Sequence, residues 1–259
     1  MSVTAGKGKL ANPDRKIMIG LEVHGYLNMA GSRAKLFCNC AINADAEPNT
    51  TICPVCTGQP GSKPMLPNRE AIDKIIAIAA ILDCRINERL ILQRKHYSWP
   101  DMPTGYQRTM SGSYSVPVGQ EGNFLGIGIE EVHLEEDPAR WDPETGQVDY
   151  NRSGYPLVEI VTKPDFTSAG EVRVWLRRLT TTLSYIKAIN PDLGIKSDVN
   201  VSVSPDFGRV EIKNVNSFRS IVRAIEYEAA RQQREVKEGK KVSMETRAWR
   251  DAEGVSVFM

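Results

Sequence analysis

Within the stretch YPLVEIVTKPDF, residues 155–166, the segment PLVEIV sets one carboxylate, Glu159, among apolar and β-branched residues. A run that is apolar on both sides of its single acidic residue is typical of a strand buried on both faces. A carboxylate at such a position must be paired, protonated or bound to a metal ion. The stretch therefore predicts a buried strand whose glutamate has a chemical partner.

The stretch IGLEVH, residues 19–24, repeats the pattern near the start of the chain. Glu22 and His24 are two positions apart, so both side chains point to one face of a strand, while Leu21 and Val23 point to the other. This alternation predicts a strand with one polar and one apolar face. The alternative is that Glu22 pairs with a basic residue and His24 fills a half-buried gap.

The stretch EEVHLEED, residues 130–137, concentrates acidic side chains. Glu135 and Glu136 point to opposite faces of a regular strand, so only one of them reaches a shared site without a bulge. Carboxylates with an occasional imidazole suit magnesium or manganese, and magnesium is the usual partner of nucleotide phosphates. The alternative is a solvated acidic edge. The sequence holds no P-loop and no G-x-G-x-x-G motif, so nucleotide binding does not follow from a glycine-rich loop.

Four of the five cysteines fall in one loop-like segment, residues 36–60, as C-N-C and C-P-V-C: Cys38, Cys40, Cys53 and Cys56. Two tight turns that each present a pair of thiolates suit the tetrahedral coordination of zinc. Protein would then fill all four positions, so the predicted zinc is structural rather than catalytic. The alternatives are reduced thiols without a metal and a redox role.

Apolar periodicity predicts helices, and alternation predicts strands, along the rest of the chain. The predicted helices cover residues 69–83, 168–189 and a segment that begins near 217. The predicted strands cover residues 16–27, 91–99, 114–118, 124–137, 155–166, 198–204 and 209–215. Grouped strands between helices favour an α+β fold with a largely antiparallel sheet covered on one face. We expect a flexible tail at residues 1–16 and a single domain over 17–259.

Composition and charge limit the classes of protein to which the chain can belong. Lys and Arg number 33 against 32 Asp and Glu, so the net charge of +1 gives no argument for nucleic-acid binding. The chain has no apolar run long enough to span a bilayer and no secretory signal, so we expect a cytoplasmic protein without membrane contact. Basic residues near the strand motifs are candidates for phosphate contacts, the alternative being ordinary surface charges: Arg94, Lys95, Arg152 and Lys213.

Several segments of the chain occur together, in the same order, in a known family. They are IGLEVH, AEPNT, CPVC, GQPG, RKHYSWPDMPTGYQ, VHLEED, DYNRSGYPLVEIVTKPD, SDVNVSV, VEIKNVNSFR and AIEYEAARQ. From about Met18 onward the chain resembles the GatB/GatE family, the GatB-type subunits of the aspartyl/glutamyl-tRNA amidotransferases. Family members continue into a helical region and a tail domain that hold tRNA, so the resemblance is to the catalytic part alone.

The resemblance implies a kinase-like reaction. The γ-phosphoryl group of ATP moves to the side-chain carboxylate of glutamate or aspartate on mischarged tRNA(Gln) or tRNA(Asn), and ammonia then displaces phosphate to form the amide. The implied fold is a sheet cradle of the glutamine synthetase and guanido kinase type. The implied cofactors are ATP, Mg²⁺ and a structural Zn²⁺. The implied partners in a hetero-oligomer are the amidase GatA with the small protein GatC, or the asparaginase-like GatD, together with mischarged tRNA.

The resemblance also implies roles for individual residues. Glu22, His24 and Glu159 match residues that bind the catalytic metal. One of Glu135 and Glu136 matches a further ligand, and the family pattern favours Glu136. The four cysteines match the zinc knuckles that many members carry, and the four basic residues named above are candidates for contacts with ATP or the tRNA end.

Two other interpretations of the chain compete with the enzyme. One is a truncated, non-catalytic scaffold that docks the amidase partner, and the other is a zinc-stapled nucleic-acid-binding module. The near-neutral charge argues against the module. The presence of every metal-binding position of the family favours an enzyme over a scaffold.

Overall fold

The computed structural model describes residues 17–43, 45–204 and 208–259. The predicted tail at residues 1–16 lies outside the described residues. The described part of the chain folds into a largely antiparallel sheet with three helices packed on one face, which confirms the predicted α+β class and the covered face.

The helices and strands are bounded as follows. The helices are α1 (Arg69–Ile81), α2 (Ala169–Tyr185) and α3 (Phe218–Lys237), with a short 3-10 turn at Pro191–Leu193. The strands are β1 (Ile17–Tyr26), β2 (Arg85–Ile86), β3 (Gln93–His96), β4 (Tyr106–Thr109), β5 (Gly119–Phe124), β6 (Ile127–Glu136), β7 (Arg140–Trp141), β8 (Val148–Asp149), β9 (Pro156–Thr162), β10 (Ile195–Val203), β11 (Val210–Val215), β12 (Glu245–Arg250) and β13 (Val255–Phe258). None of the helices in the described part of the chain has the length and apolar character of a membrane span.

The order of the strands brings the three acidic stretches side by side. The main sheet runs β13-β12-β11-β10-β1-β9-β6-β4-β3, with β5 paired to β6 and β2 paired to β5. Among the described pairs of this sheet, only β11 and β12 run parallel. Strands β1, β9 and β6 are neighbours near its centre, and β7 and β8 form a separate hairpin.

Alternation of side chains gives the sheet two different faces. On β1, Leu21 and Val23 are buried in the core beneath the helices, as are Val158 and Ile160 on β9. Trp175 of α2 belongs to the same core, and its indole N–H donates to the Phe124 carbonyl at 2.9 Å. The helices cover the apolar face of the sheet. The polar side chains of the same strands therefore lie on the opposite face.

The helix boundaries follow local capping. The side chains of Asn68, Ser168 and Ser217 accept hydrogen bonds from backbone N–H groups in the first turns of α1, α2 and α3. Each cap satisfies an N–H group that the helix itself leaves without a partner. The three predicted helices are therefore confirmed, with the first two ending a few residues earlier than expected.

Several strand predictions were wrong in detail. Residues 124–137 form two strands, because Leu125 and Gly126 adopt positive φ angles of 53° and 85° in a tight turn. Residues 114–118 contribute one isolated bridge. Strand β5 was not predicted because its glycines hide the strand pattern; a Cβ at Gly122 would lie 2.4 Å from the sulfur of Cys84, so the close approach requires glycine.

Candidate active site and cysteine centre

A cleft with a volume of about 420 Å³ opens on the face of the sheet that the helices leave uncovered. Its lining is polar and dense in ionisable groups, and it includes residues from β1, β9, β6, β10 and β11. The residues that line it are Glu22, His24, Tyr26, Lys95, Tyr97, Met102, Gln107, Glu135, Asp137, Pro138, Leu157, Glu159, Lys196, Asp198, Lys213, Val215 and Asn216.

Glu159 lies at the centre of this site, between two histidines. The antiparallel register places it directly opposite His24 on β1 and His133 on β6. One carboxylate oxygen lies 3.3 Å from His24 Nε2, and the other lies 2.6 Å from His133 Nδ1. The second nitrogen of His133 lies 2.7 Å from a carboxylate oxygen of Glu131, so His133 is held between two carboxylates. Glu159 is 6% exposed, which confirms that its strand is buried.

These contacts fix the charges of the three central groups. Burial tends to raise the pKa of Glu159, but hydrogen bonds from His133 and His24 outweigh it and hold that pKa well below its usual range. Burial tends to lower the pKa of His24, but the hydrogen bond and the charge of Glu159 raise it to about 9. The pKa of His133 is raised for the same reason, with Glu131 as its second partner. In the protein without a metal, the centre is therefore an ionised glutamate whose charge favours the protonated form of both histidines.

Glu135 completes a group of three side chains that could hold a metal ion. Donor atoms of His24, Glu135 and Glu159 all lie within 4.8 Å of one another. The hydroxyl of Thr109 donates to Glu135, and burial together with the charge of Glu159 raises the pKa of Glu135. One imidazole nitrogen and two carboxylates form a donor set that suits Mg²⁺ or Mn²⁺, and a divalent ion would relieve the repulsion between the two carboxylates.

Glu136 points away from this group, contrary to the preference suggested by the resemblance. It lies on the opposite face of β6, where Arg108 binds it through two hydrogen bonds of 2.7 and 2.6 Å. The guanidinium of Arg108 also lies over the Phe37 ring at 4.1 Å. Because its charge is already paired in the interior, Glu136 is positioned to stabilise the fold rather than to bind a metal.

Glu22 belongs to a neighbouring acidic group instead of the central one. Carboxylate oxygens of Glu22, Asp198 and Glu211 lie within 4.8 Å of one another. The ammonium of Lys213 lies 3.1 Å from Asp198 and 2.9 Å from Glu211, so this group already contains a cation. Burial, and then the charge of Glu159, raise the pKa of Glu22. Glu22 thus lines the cleft beside the group formed by His24, Glu135 and Glu159.

The four predicted basic residues divide between the cleft and its surroundings. Lys95 and Lys213 line the cleft. Arg152 forms an ion pair of 2.8 Å with Asp137 at its border. The guanidinium of Arg94 lies 4.9 Å from the centre of the Tyr106 ring, and Arg94 is not among the described residues that line the cleft.

The four cysteines converge as predicted. Their sulfur atoms lie within 4.8 Å of one another, and Cys56 Sγ is 3.9 Å from both Cys40 Sγ and Cys53 Sγ. Zinc–sulfur bonds of about 2.3 Å in a tetrahedron place the sulfurs about 3.8 Å apart, so the arrangement fits zinc. A hydrogen bond from Cys38 and the nearby ammonium of Lys35 lower the pKa of the Cys56 thiol to about 4 against the effect of burial. The set is closed by protein on all four sides, as a structural site requires.

The cysteine centre is tied to the turn that precedes β9. Lys35, only 1% exposed, places its ammonium 3.4 Å from Cys56 Sγ and 3.2 Å from the Tyr150 carbonyl. The Ser153 hydroxyl donates to the Cys56 carbonyl at 2.8 Å, and the Leu36 N–H donates to the Gly154 carbonyl at 2.9 Å. The centre therefore supports the start of the strand that carries Glu159.

Sequence reasoning missed the role of His133. Its signal was present, because His133 lies two positions before Glu135 and so shares its face of β6, as does Glu131. The contact of His133 with Glu159 depends on the pairing of β6 with β9, which the sequence alone does not specify. Arg108 and Thr109 were missed because β4 itself was not predicted.

Comparisons with known proteins find one family model and several curated relatives that match most of the chain. A family model described as the GatB/GatE catalytic domain matches residues 17–259. A GatB-type subunit of an aspartyl/glutamyl-tRNA(Asn/Gln) amidotransferase, from Methanopyrus kandleri, is 50% identical over 246 residues, which cover 94% of this chain and 51% of the relative. The protein of the same name from Methanocaldococcus jannaschii is 46% identical over 252 residues, or 95% of this chain and 52% of the relative. The chain spans about half the length of the curated relatives it matches.

We predict that the cysteine centre holds one zinc ion per chain and that Cys56→Ser lowers both the zinc content and the midpoint of thermal unfolding. The reason is that three remaining thiolates no longer close a tetrahedron. Cys84→Ser is the matched control, since Cys84 lies outside the centre. Metal analysis and thermal unfolding of both variants check the prediction, and wild-type protein with well below one zinc per chain would contradict it.

We predict that protonated His24 stabilises the metal-free protein and that this contribution is lost as the pH rises. The folded pKa of about 9 lies above the ordinary value of 6.5, so the contribution is complete below pH 6.5 and disappears by about pH 9. Urea unfolding of the wild type and of His24→Asn should show a difference in unfolding free energy that shrinks between these two pH values. A difference that is constant with pH would contradict this account.

Proposed function

The chain belongs to the GatB/GatE catalytic-domain family, and we propose that it carries the carboxylate-activating chemistry of a tRNA-dependent amidotransferase. In this proposal ATP transfers its γ-phosphoryl group to the side-chain carboxylate of glutamate or aspartate esterified to tRNA, which yields an acyl phosphate and ADP. Ammonia then forms a bond to the acyl carbon, and the carbon–oxygen bond to phosphate breaks. The products are the amide and inorganic phosphate.

The observation that supports the proposal best is the group formed by His24, Glu135 and Glu159 inside the cleft. A cleft of about 420 Å³ that combines buried carboxylates with lysine ammonium groups suits a reaction in which phosphate must be held and neutralised. A scaffold would have no use for two buried carboxylates beside a histidine, since burial of charged groups is costly even when they are paired.

His24, Glu135 and Glu159 are the residues that would hold a magnesium ion, by virtue of their donor atoms and mutual distances. When bound, Mg²⁺ neutralises and orients the phosphate oxygens of ATP. His133 acts on this group as a positioning residue, because its hydrogen bond to Glu159 fixes the orientation of that carboxylate. Thr109 does the same for Glu135.

The cationic side chains of the cleft would act on the transferring group directly. Lys95 and Lys213 both line the cleft, and an ammonium there favours the charge that spreads over phosphate oxygens in the transition state. Lys213 is held by Asp198 and Glu211, and these carboxylates raise its pKa against the effect of burial, so it remains charged. The lysine is thereby positioned before substrate binds, and no reorganisation is needed at the moment of reaction.

The whole activity would require partners that this chain does not supply. We infer that ammonia comes from an amidase of the GatA type with GatC, or of the GatD type, and that mischarged tRNA is the carboxylate donor. The relatives are named for both aspartyl and glutamyl transfer. Zinc at the cysteine centre would act only on structure, since protein ligands close the site.

The experiment that tests the proposal is ATP turnover by the purified chain with Glu-tRNA(Gln), ammonium and magnesium. Free ammonium replaces the amidase, so the chemistry of the chain itself is measured. We predict that Glu159→Gln and Glu135→Gln each reduce turnover by about a hundredfold or more, because each removes a charge from the metal-binding group. The neighbouring Glu136→Gln is the matched control, since Glu136 lies on the opposite face, bound to Arg108.

The outcomes separate the enzyme from the scaffold. Turnover that depends on charged tRNA, falls in Glu159→Gln and Glu135→Gln, and persists in folded Glu136→Gln supports the proposal. Folded wild-type protein without turnover would favour the scaffold interpretation. A greater loss of turnover in Glu136→Gln than in Glu135→Gln, with both variants folded, would contradict the proposal. It would place the chemistry on the face of β6 that carries Glu136.

A further inference from the structure

Two tryptophans form a partly exposed pair between the β3–β4 loop and the β7–β8 hairpin. Trp99 is 59% exposed, and the centre of its ring lies 5.5 Å from that of Trp141 at an interplanar angle of 37°. Trp99 belongs to the loop between β3 and β4, in which Tyr97 and Met102 line the cleft. Trp141 lies on the β7–β8 hairpin, half-buried.

The loop and the hairpin hold this pair in place. The Ala139 N–H donates to the Asp101 carbonyl at 2.7 Å, and the Tyr150 hydroxyl donates to the Pro100 carbonyl at 3.5 Å. These hydrogen bonds join the loop that carries Trp99 to the hairpin that carries Trp141. An exposed aromatic surface on a fixed backbone is typical of a recognition site, because a partner that covers the rings removes apolar surface from water.

A cationic cavity borders the hairpin that carries Trp141. It has a volume of about 270 Å³, and its lining includes three cations and one carboxylate: Arg140, Arg152, Lys196 and Asp149. Arg140 immediately precedes Trp141 on β7. Arg152 is also paired with Asp137, so the excess positive charge of the cavity comes chiefly from Arg140 and Lys196.

The cavity and the cleft meet at two shared residues. Tyr26 and Lys196 line both. Tyr26 is two positions from His24 on the same face of β1, about 7 Å along the strand, and Lys196 lies opposite His24 in the register of β1 and β10. A group bound in the cavity therefore lies beside the part of the cleft that holds His24.

We propose that the tryptophan pair and the cationic cavity bind the unpaired 3′ end of the aminoacylated RNA, with a base stacked on Trp99 and a backbone phosphate in the cavity. Unpaired bases stack on exposed aromatic rings, and arginine and lysine neutralise phosphate. This inference rests on the proposed function for the identity of the RNA. ATP fits the two features less well, because its phosphates must reach His24, Glu135 and Glu159 inside the cleft, whereas an RNA end offers further phosphates and bases outside it.

The test is the affinity of the 259-residue chain for a synthetic RNA hairpin with an unpaired 3′ end, measured by fluorescence anisotropy beside a blunt-ended hairpin. We expect the wild type to prefer the unpaired end and Trp99→Ala to bind it about tenfold more weakly. Trp99→Phe, which keeps a ring, should retain most of the affinity. Tyr185→Ala removes an aromatic residue of 88% exposure that lies at the end of α2, and should change nothing.

Each other outcome overturns the inference. Wild-type protein that does not distinguish the two hairpins, or Trp99→Ala that binds the unpaired end as well as the wild type does, would show that the pair is not an RNA platform. Loss of ATP affinity in Trp99→Ala with RNA affinity unchanged would assign the rings to the adenine of ATP. Because binding is measured without turnover, the result is independent of the Glu159→Gln experiment, and either proposal can fail while the other stands.

Discussion

The structure depends on one buried carboxylate that two histidines share. Glu159 lies in the middle of a sheet, where an unpaired charge would cost several kcal/mol, and it is tolerated because His24 and His133 contact its two oxygens from the neighbouring strands. This arrangement requires β9 to lie between β1 and β6 in one register. A shift of one residue in either pairing would put Glu159 and the histidine of that pair on opposite faces of the sheet.

The same constraint explains why the two faces of the sheet differ so sharply. The helices bury the alternate residues of β1 and β9, and this leaves His24 and Glu159 on the open face with Lys213 and Glu135 around them. The cysteine centre lies away from these groups, yet its hydrogen bonds through Ser153 and Leu36 fix the turn that leads into β9. A metal in that centre would thus support the site through the backbone, without contact with substrate.

Alternation within single strands was enough to predict much of this arrangement. The patterns around Glu159 and Glu22 gave the buried strands and their polar face, and the C-P-V-C spacing gave the cysteine centre. Alternation also stated that Glu135 and Glu136 face opposite sides, but it did not say which side holds the cleft. That choice depends on Arg108, which binds Glu136 from a strand that follows a turn-rich segment and has no sequence pattern of its own.

Contacts between strands could not be predicted from the sequence, because they depend on which strands pair. Glu159 has two partners that are distant in sequence. His133 is 26 residues away, and His24 lies on a strand near the start of the chain, so their proximity to Glu159 depends on the order of strands in the sheet. Lys213 was identified as a basic residue of interest, but its hold on Asp198 and Glu211 follows from the pairing of β10 with β11. The tryptophan pair likewise joins a loop and a hairpin that are separate in sequence.

The central claim, that the cleft activates a carboxylate by phosphorylation, is tested most directly by following an oxygen atom. Glu-tRNA(Gln) labelled with ¹⁸O in the side-chain carboxylate would be converted with ATP, ammonium and magnesium, and the inorganic phosphate analysed by mass spectrometry. The account predicts one ¹⁸O atom in each phosphate formed with the amide, because the carboxylate oxygen that attacks phosphorus leaves with it. Amide formed while the phosphate carries no label would contradict it.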